Sequence, residues 1–164
     1  MSLDVFAALL VFAFVTSITP GPNNFMLLAS GVNFGFVRTI PHMFGIGAGF
    51  LSLLLGVGFG LGALLTAFPA LHTALKIAGG AYLLYLAWRT AMARSMGQSQ
   101  GASARPMTFL EAAAFQWVNP KAWVMAVTAM SLYTSPAAPF MSVILVSIAF
   151  ALVNLPSVST WAGF

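Results

Sequence analysis

A lysine directly after an Asn-Pro pair, Asn119-Pro120-Lys121, stands in the middle of a hydrophobic run from about Thr108 to Tyr133. A cation at such a depth is costly in hydrocarbon and faces a cavity or a partner. No acid in the sequence is placed to pair with it. Glu111 lies ten positions earlier, ~15 Å along a straight helix, and Asp4 is close to the chain start. Three roles stay open: Lys121 can bind carbonyls freed by nearby prolines, meet the carboxylate of a ligand, or lose its proton on burial and act as a carrier. Snorkelling to an interface competes with all three.

A second break of the same kind is Thr19-Pro20-Gly21-Pro22-Asn23-Asn24, inside an apolar run from Leu3 to about Val32. Proline has no N–H, so Pro20 and Pro22 leave the carbonyls of Thr16 and Ile18 without helical donors. Gly21 loosens the backbone at the same point. In lipid such groups are tolerated only against protein or a watery cavity, and transporters use broken helices as substrate and ion sites. A half-helix starting after Pro22 offers its N–H groups to an anion. Freed carbonyls and the oxygens of Asn23, Asn24 and Asn119 suit an ammonium. Together they fit a zwitterion, with capping of the broken helices as the rival role for each Asn. Gln116 lies one turn before Pro120, and Asn154 sits in the last apolar run; both are candidates to line the same cavity. Trp117, Trp123 and Trp161 read as packing or interfacial residues.

The elements that hold these residues follow from composition. The chain has 164 residues, 60% of them hydrophobic and 5% charged, with mean hydropathy +0.98. A soluble domain carries about 25% charged residues. The fold expected is therefore all-α, a polytopic membrane protein. A net charge of +4 from only six cations is no nucleic-acid footprint. With no cysteine there are no disulfides or thiolate sites. Met1 to Pro20 has no basic n-region and no small-residue cleavage site, so it reads as a permanent first helix.

Five spans are expected. Span one runs from Asp4 to Val32, broken at the prolines. Asn33 to Ile40 reads as a loop holding Arg38. Span two runs from Pro41, a good first-turn residue, to Phe68. Span three covers Pro69 to Met92, and Arg94 to Pro106 is a polar linker. Span four covers Thr108 to Tyr133, broken at Asn119-Pro120, and span five runs from Phe140 onward. Arg38, Arg89, Arg94 and Arg105 flank the first and third loops, which the positive-inside rule puts in the cytoplasm and the N-terminus outside. Gly45/Gly49, Gly56/Gly60 and Gly58/Gly62 are small-xxx-small pairs for close helix packing, within the chain or in a homo-oligomer. His42 and His72 fall near span ends, where a histidine is ordinarily solvated, although either could relay protons. A Ser30–His42 hydrolase pair lacks any activated-nucleophile motif around the serine. Two separated histidines make a poor metal site.

Pro120 lies 98 positions after Pro22, and Pro139 lies 98 after Pro41. The same offset pairs Phe25 with Trp123, Ser30 with Thr128 and Met43 with Met141. This spacing points to two repeats in one membrane domain, about 1–96 and 97–164. Three spans per repeat make the copies inverted. Span three should then return at 167–190, so the sequence reads as five of an intended six spans and as a truncated product or fragment.

Ile18-Thr-Pro-Gly-Pro-Asn-Asn24 with Phe115-Gln-Trp-Val-Asn-Pro-Lys-Ala-Trp123 resembles the LysE/RhtB family of bacterial amino-acid exporters. Pro41-His-Met-Phe-Gly-Ile-Gly-Ala-Gly49 and Leu75-Lys-Ile-Ala-Gly-Gly-Ala-Tyr-Leu-Leu-Tyr-Leu-Ala-Trp88 add to the likeness. It implies an inner-membrane secondary transporter of six helices, driven by the proton gradient. The family's motif positions fall on Pro20, Gly21, Pro22, Asn23, Asn119, Pro120 and Lys121. Members handling basic amino acids tend to carry acids in spans two and four, where this chain has only Glu111. The expected cargo is thus a small neutral amino acid of the homoserine, threonine or leucine kind. The expected site is Pro20, Gly21, Pro22, Asn23, Asn24, Gln116, Asn119, Pro120 and Lys121, with protons as counter-ion, no enzymatic activity, no cofactor and no metal. Inorganic-ion efflux and a non-transporting remnant are the competing functions.

Overall fold

The computed structural model describes residues 1–61, 105–135 and 137–164, with Ala67, Ala70 and Ile77 between them. The expected span at 69–92, His72, Arg89 and Arg94 lie outside the described residues. Among the described residues six α-helices can be given bounds. Their bounds are α1 Leu3–Ile18, α2 Pro22–Phe34, α3 Phe36–Gly56, α4 Phe109–Gln116, α5 Pro120–Tyr133 and α6 Pro139–Ser159. The segment Val57–Leu61 carries α3 on to a kink at Gly60, whose φ is 123°, and a 3₁₀ turn, Thr160–Ala162, closes α6. No strand is found among the described residues.

Local sequence explains the boundaries. Ser2 caps α1 by accepting from the N–H of Val5. Thr108 and Glu111 form a reciprocal capping box at the start of α4, and Arg105 holds the same Glu111 carboxylate at 2.7 and 2.9 Å. The ion pair raises the affinity of the Arg105 guanidinium for its proton further. Pro22, Pro120 and Pro139 each open a helix, where a missing N–H costs nothing. The expected loop over Asn33–Ile40 is not there. Gly35 alone turns the chain, with φ 82°, and α3 starts at Phe36. Only glycine adopts that backbone freely, so the turn shrinks to one residue. Arg38 consequently lies in the first turn of α3. Pro41 sits inside that helix rather than opening it, and so does not share the role of Pro139.

α3 with its extension, over Phe36–Gly60, and α6 with its 3₁₀ turn, over Pro139–Ala162, are each long and apolar enough to cross a bilayer. α1 and α2 together make a third such span, bent by 56° at the break. Side chains on the outer faces are apolar, with Leu110 75% and Leu152 70% exposed. Such a surface suits lipid, where no charge is needed to solvate it. The core joins Leu9 and Ala13 of α1, Phe50, Leu53 and Leu54 of α3, Ala126 and Ala129 of α5, and Val146 and Phe150 of α6.

Contacts fix the directions of the helices. Gly45 lies against Phe109 and Gly49 against Ala113, so α3 and α4 run the same way. Phe12 meets Phe150 and Ser17 meets Asn154, so α1 and α6 run together. Phe50 meets Phe150 and Gly47 meets Leu155, which opposes α3 to α6. Thr19 meets Lys121 and Ala8 meets Tyr133, which opposes α1 to α5. The α1–α2–α3 unit and the α4–α5–α6 unit therefore run in opposite senses through the bundle.

The glycine pair at 45 and 49 is filled within the chain. A Cβ on Gly49 would lie 2.5 Å from the carbonyl oxygen of Ala113, and one on Gly45 would run into that of Phe109. Backbone cannot give way as a side chain can. For Gly49→Ala, overpacking of ~1–3 kcal/mol outweighs the gain in helix propensity, at most about 1 kcal/mol. The substitution is expected to lower the thermal midpoint in detergent, while Gly163→Ala, with its nearest contact at 3.5 Å, leaves it unchanged. An unshifted midpoint for Gly49→Ala would mean that α4 does not lie on this face.

Candidate functional site

The two breaks meet. α1 ends at Ile18 and α2 begins at Pro22; α4 ends at Gln116 and α5 begins at Pro120. Each ending exposes carbonyls that no helical N–H reaches, and the bundle supplies side-chain donors for them. Asn24 Nδ2 donates to the carbonyls of Ser17 at 3.0 Å and Thr19 at 2.8 Å. Trp161 Nε1 donates to that of Ile18 at 3.2 Å. Lys121 Nζ reaches from α5 to the carbonyl of Thr19 at 2.6 Å and that of Pro20 at 3.5 Å. At the second break, Trp123 Nε1 donates to the carbonyl of Trp117 at 2.7 Å. Asn119 caps α5 by accepting from the N–H of Lys121 at 3.1 Å. The N-terminus of α2 has no side-chain cap, since Gly21 precedes it.

Among the roles open for Lys121, the freed carbonyls supply its partner. Gly21 is what lets it pass: a Cβ there would lie 2.7 Å from Lys121 Cδ. Asn23 and Gln116 form a two-way amide pair, at 2.8 and 3.0 Å, that ties one break to the other. Gln116 Nε2 also donates to the carbonyl of Ala112. The capping role holds for Asn24 and Asn119.

These groups surround a cavity of about 20 Å³, room for roughly one water molecule. Gly21, Asn23, Asn24, Gln116, Asn119 and Lys121 all line it. Pro20, Pro22 and Pro120 do not; they shape the breaks. Thr16, Ser17 and Asn154 complete the polar wall, with Phe50, Met125 and Val158 on the apolar side. Asn154, on α6, donates to Ser17 Oγ at 2.9 Å. Its place among the lining residues was legible only as an amide in an apolar span, and the Trp161 contact had no sequence signal beyond its type.

His42 departs from expectation. It is not a solvated boundary residue but 1% exposed, because α3 begins before it rather than at Pro41. Neither ring nitrogen has a hydrogen-bond partner.

A bundle of apolar spans in two opposed halves, with broken helices meeting at a small polar cavity, is the architecture of a polytopic membrane transporter. The chain belongs to the LysE type translocator family, whose pattern matches residues 14–162. It is similar to the cysteine/O-acetylserine efflux protein of Escherichia coli strain K12, at 32% identity over 99% of this chain and 83% of that protein. It resembles the protein of the same name from Shigella flexneri at 33% identity, with the same coverage of each chain. No solved structure matches the chain significantly.

The local bonds carry a stability consequence. Asn24→Leu removes the donor to the Ser17 carbonyl, which is expected to cost ~1–3 kcal/mol and to lower the thermal midpoint. Asn33→Leu, which removes an exposed bond to the carbonyl of Ala29, should stay within about 0.5 kcal/mol of wild type. Equal midpoints for the two variants would show that Asn24 does not hold the break.

Proposed function

We propose that the chain exports small neutral amino acids from the bacterial cytoplasm through the inner membrane, with its N-terminus on the periplasmic side. One observation carries this reading: Lys121 stands where both helix breaks meet, beside a cavity whose other polar groups are uncharged. A carboxylate can replace the Thr19 carbonyl as its partner and gain a charge-assisted bond. The uncapped N–H groups at the start of α2 favour the same anion. The relatives export cysteine and O-acetylserine by name, which are small neutral amino acids like homoserine and threonine. Arg38 at the start of α3 and Arg105 just before α4 share one end of the bundle, since α3 and α4 run together. That agrees with a cytoplasmic placement of both.

A cavity sized for one water does not admit an amino acid. The bonds Lys121–Thr19 and Asn23–Gln116 cross between the breaks, so substrate passage requires them to part. The structure has the features of a closed stage of an alternating-access cycle.

Amino-acid release from cells loaded with dipeptides tests the reading, with homoserine, threonine, leucine, cysteine and O-acetylserine compared with lysine and arginine. Faster release of at least one neutral amino acid is expected, with a loss of roughly tenfold or more in Lys121→Met, as befits removal of a charged hydrogen-bond donor. Robust export of lysine or arginine alone would overturn the substrate class.

Proton coupling is supported by His42, a buried titratable group with no fixed partner. Among the described residues Glu111 of α4 acts on it by charge and is itself paired with Arg105; Thr39, one turn earlier on α3, is bonded to Ser30 of α2. In proteoliposomes, His42→Gln is expected to abolish stimulation by a pH gradient while substrate exchange without a gradient persists. Full stimulation in the variant would remove His42 from the coupling path.

A further inference from the structure

Resting on the reading that this cavity takes a small neutral amino acid, we propose that Asn154 of α6 is the acceptor for the ammonium group of the substrate. Asn154 is 3% exposed and lines the same cavity as Lys121. Its Nδ2 is engaged with Ser17 Oγ. Its Oδ1 has no partner, and among the described residues it is the only buried amide oxygen left so. Buried polar atoms are almost always paired, and an exception needs a cause. A site that will bind a donor supplies one.

Three other amide oxygens at the breaks are engaged. Asn23 Oδ1 accepts from Gln116 Nε2, and Gln116 Oε1 accepts from Asn23 Nδ2. Asn119 Oδ1 accepts from the Lys121 N–H. Asn24 is fixed through its Nδ2 to the carbonyls that end α1, and those bonds leave its Oδ1 as a second acceptor on the cavity wall. Of the Asn23, Asn24 and Asn119 oxygens expected at the ammonium, those of Asn23 and Asn119 are taken; the buried, unpaired acceptor is on Asn154. Its anchoring to Ser17 fixes the amide plane, so the free oxygen is held ready rather than recruited on binding. Its helix is also separate from both broken spans. A substrate held by Lys121 of α5 and Asn154 of α6 would bridge two elements, with the α1 break between them.

The test uses the full chain in proteoliposomes and labelled counterflow of whichever of the five neutral amino acids the wild type carries. Competition by that amino acid is compared with competition by its analogue bearing hydrogen in place of the amino group, 4-hydroxybutyrate for homoserine. Wild type should prefer the amino acid. Asn154→Leu should shrink that preference roughly ten- to hundredfold by weakening the amino acid alone. Asn154→Asp, which keeps an acceptor, should retain it. If Asn154→Leu fails to accumulate in the membrane, the same ratio is read in Asn154→Ala. A parallel loss of both competitors, or an unchanged ratio, would assign Asn154 a packing role or a carboxylate contact and overturn the inference. Movement of none of the five by wild type would sink the substrate reading itself, and this assignment with it.

Discussion

The carbonyl groups freed by Pro20 and Pro22 are the constraint on which the rest of the structure depends. In water they would be solvated; inside an apolar bundle each costs free energy unless a donor reaches it. α1 therefore cannot end there alone. Its last carbonyls are met by Asn24 from α2, Trp161 from the end of α6 and Lys121 from α5. Three separate elements converge because the break demands donors. The cavity is the space left between those donors. The close passage of α4 along Gly45 and Gly49 sets the position of the second break, from which Gln116 reaches Asn23. Backbone chemistry at one point thus organises contacts over the length of the chain.

The breaks themselves were legible in the sequence, because proline acts locally: Pro22 and Pro120 begin half-helices in the structure as their chemistry requires. The opposed sense of the two halves followed from an odd number of spans per repeat, and the contacts of α1, α3, α5 and α6 bear that sense out for the described residues. The start of α3 was not legible. Pro41 is chemically suited to a first turn, but a glycine with positive φ can end one helix and start the next in one residue, and Gly35 does so. The earlier start, by five residues, puts His42 inside the helix and buries it where a span-end position would be solvated. Six of the nine proposed site residues line the cavity. Which Asn would keep a free oxygen could not be read from residue type, since pairing depends on partners far apart in sequence, such as Asn23 with Gln116.

A lysine bound to a carbonyl is a different device from a lysine paired with an acid. An acid would neutralise it permanently and would compete with an incoming carboxylate at full charge. A carbonyl carries only a partial charge, so exchange of Thr19 oxygen for a substrate carboxylate gains electrostatic energy. The same exchange frees the Thr19 end of the break from α5, while Asn24 continues to satisfy the carbonyl. On the proposed reading, substrate binding and release of the Lys121–Thr19 contact would be one event, leaving the Asn23–Gln116 pair still to part. That would be a first step toward parting the two halves, with the orphan Thr19 carbonyl already met by Asn24.

Charge at the cavity also bears on cargo. The described lining residues include one cation, Lys121, and no acid. A neutral amino acid brings a carboxylate for the lysine and an ammonium for uncharged oxygens, so the local sum stays near +1. A dibasic amino acid adds a further cation with no counter-charge. At ~6 Å from Lys121 and an effective dielectric of about 20, that repulsion is about 3 kcal/mol, roughly a hundredfold in affinity. Glu111 cannot relieve it, because its carboxylate is held by Arg105 and the Thr108 N–H at the far end of α4. If the proposed site is the substrate site, a lysine without an acidic partner would by itself disfavour basic substrates, with no steric filter needed.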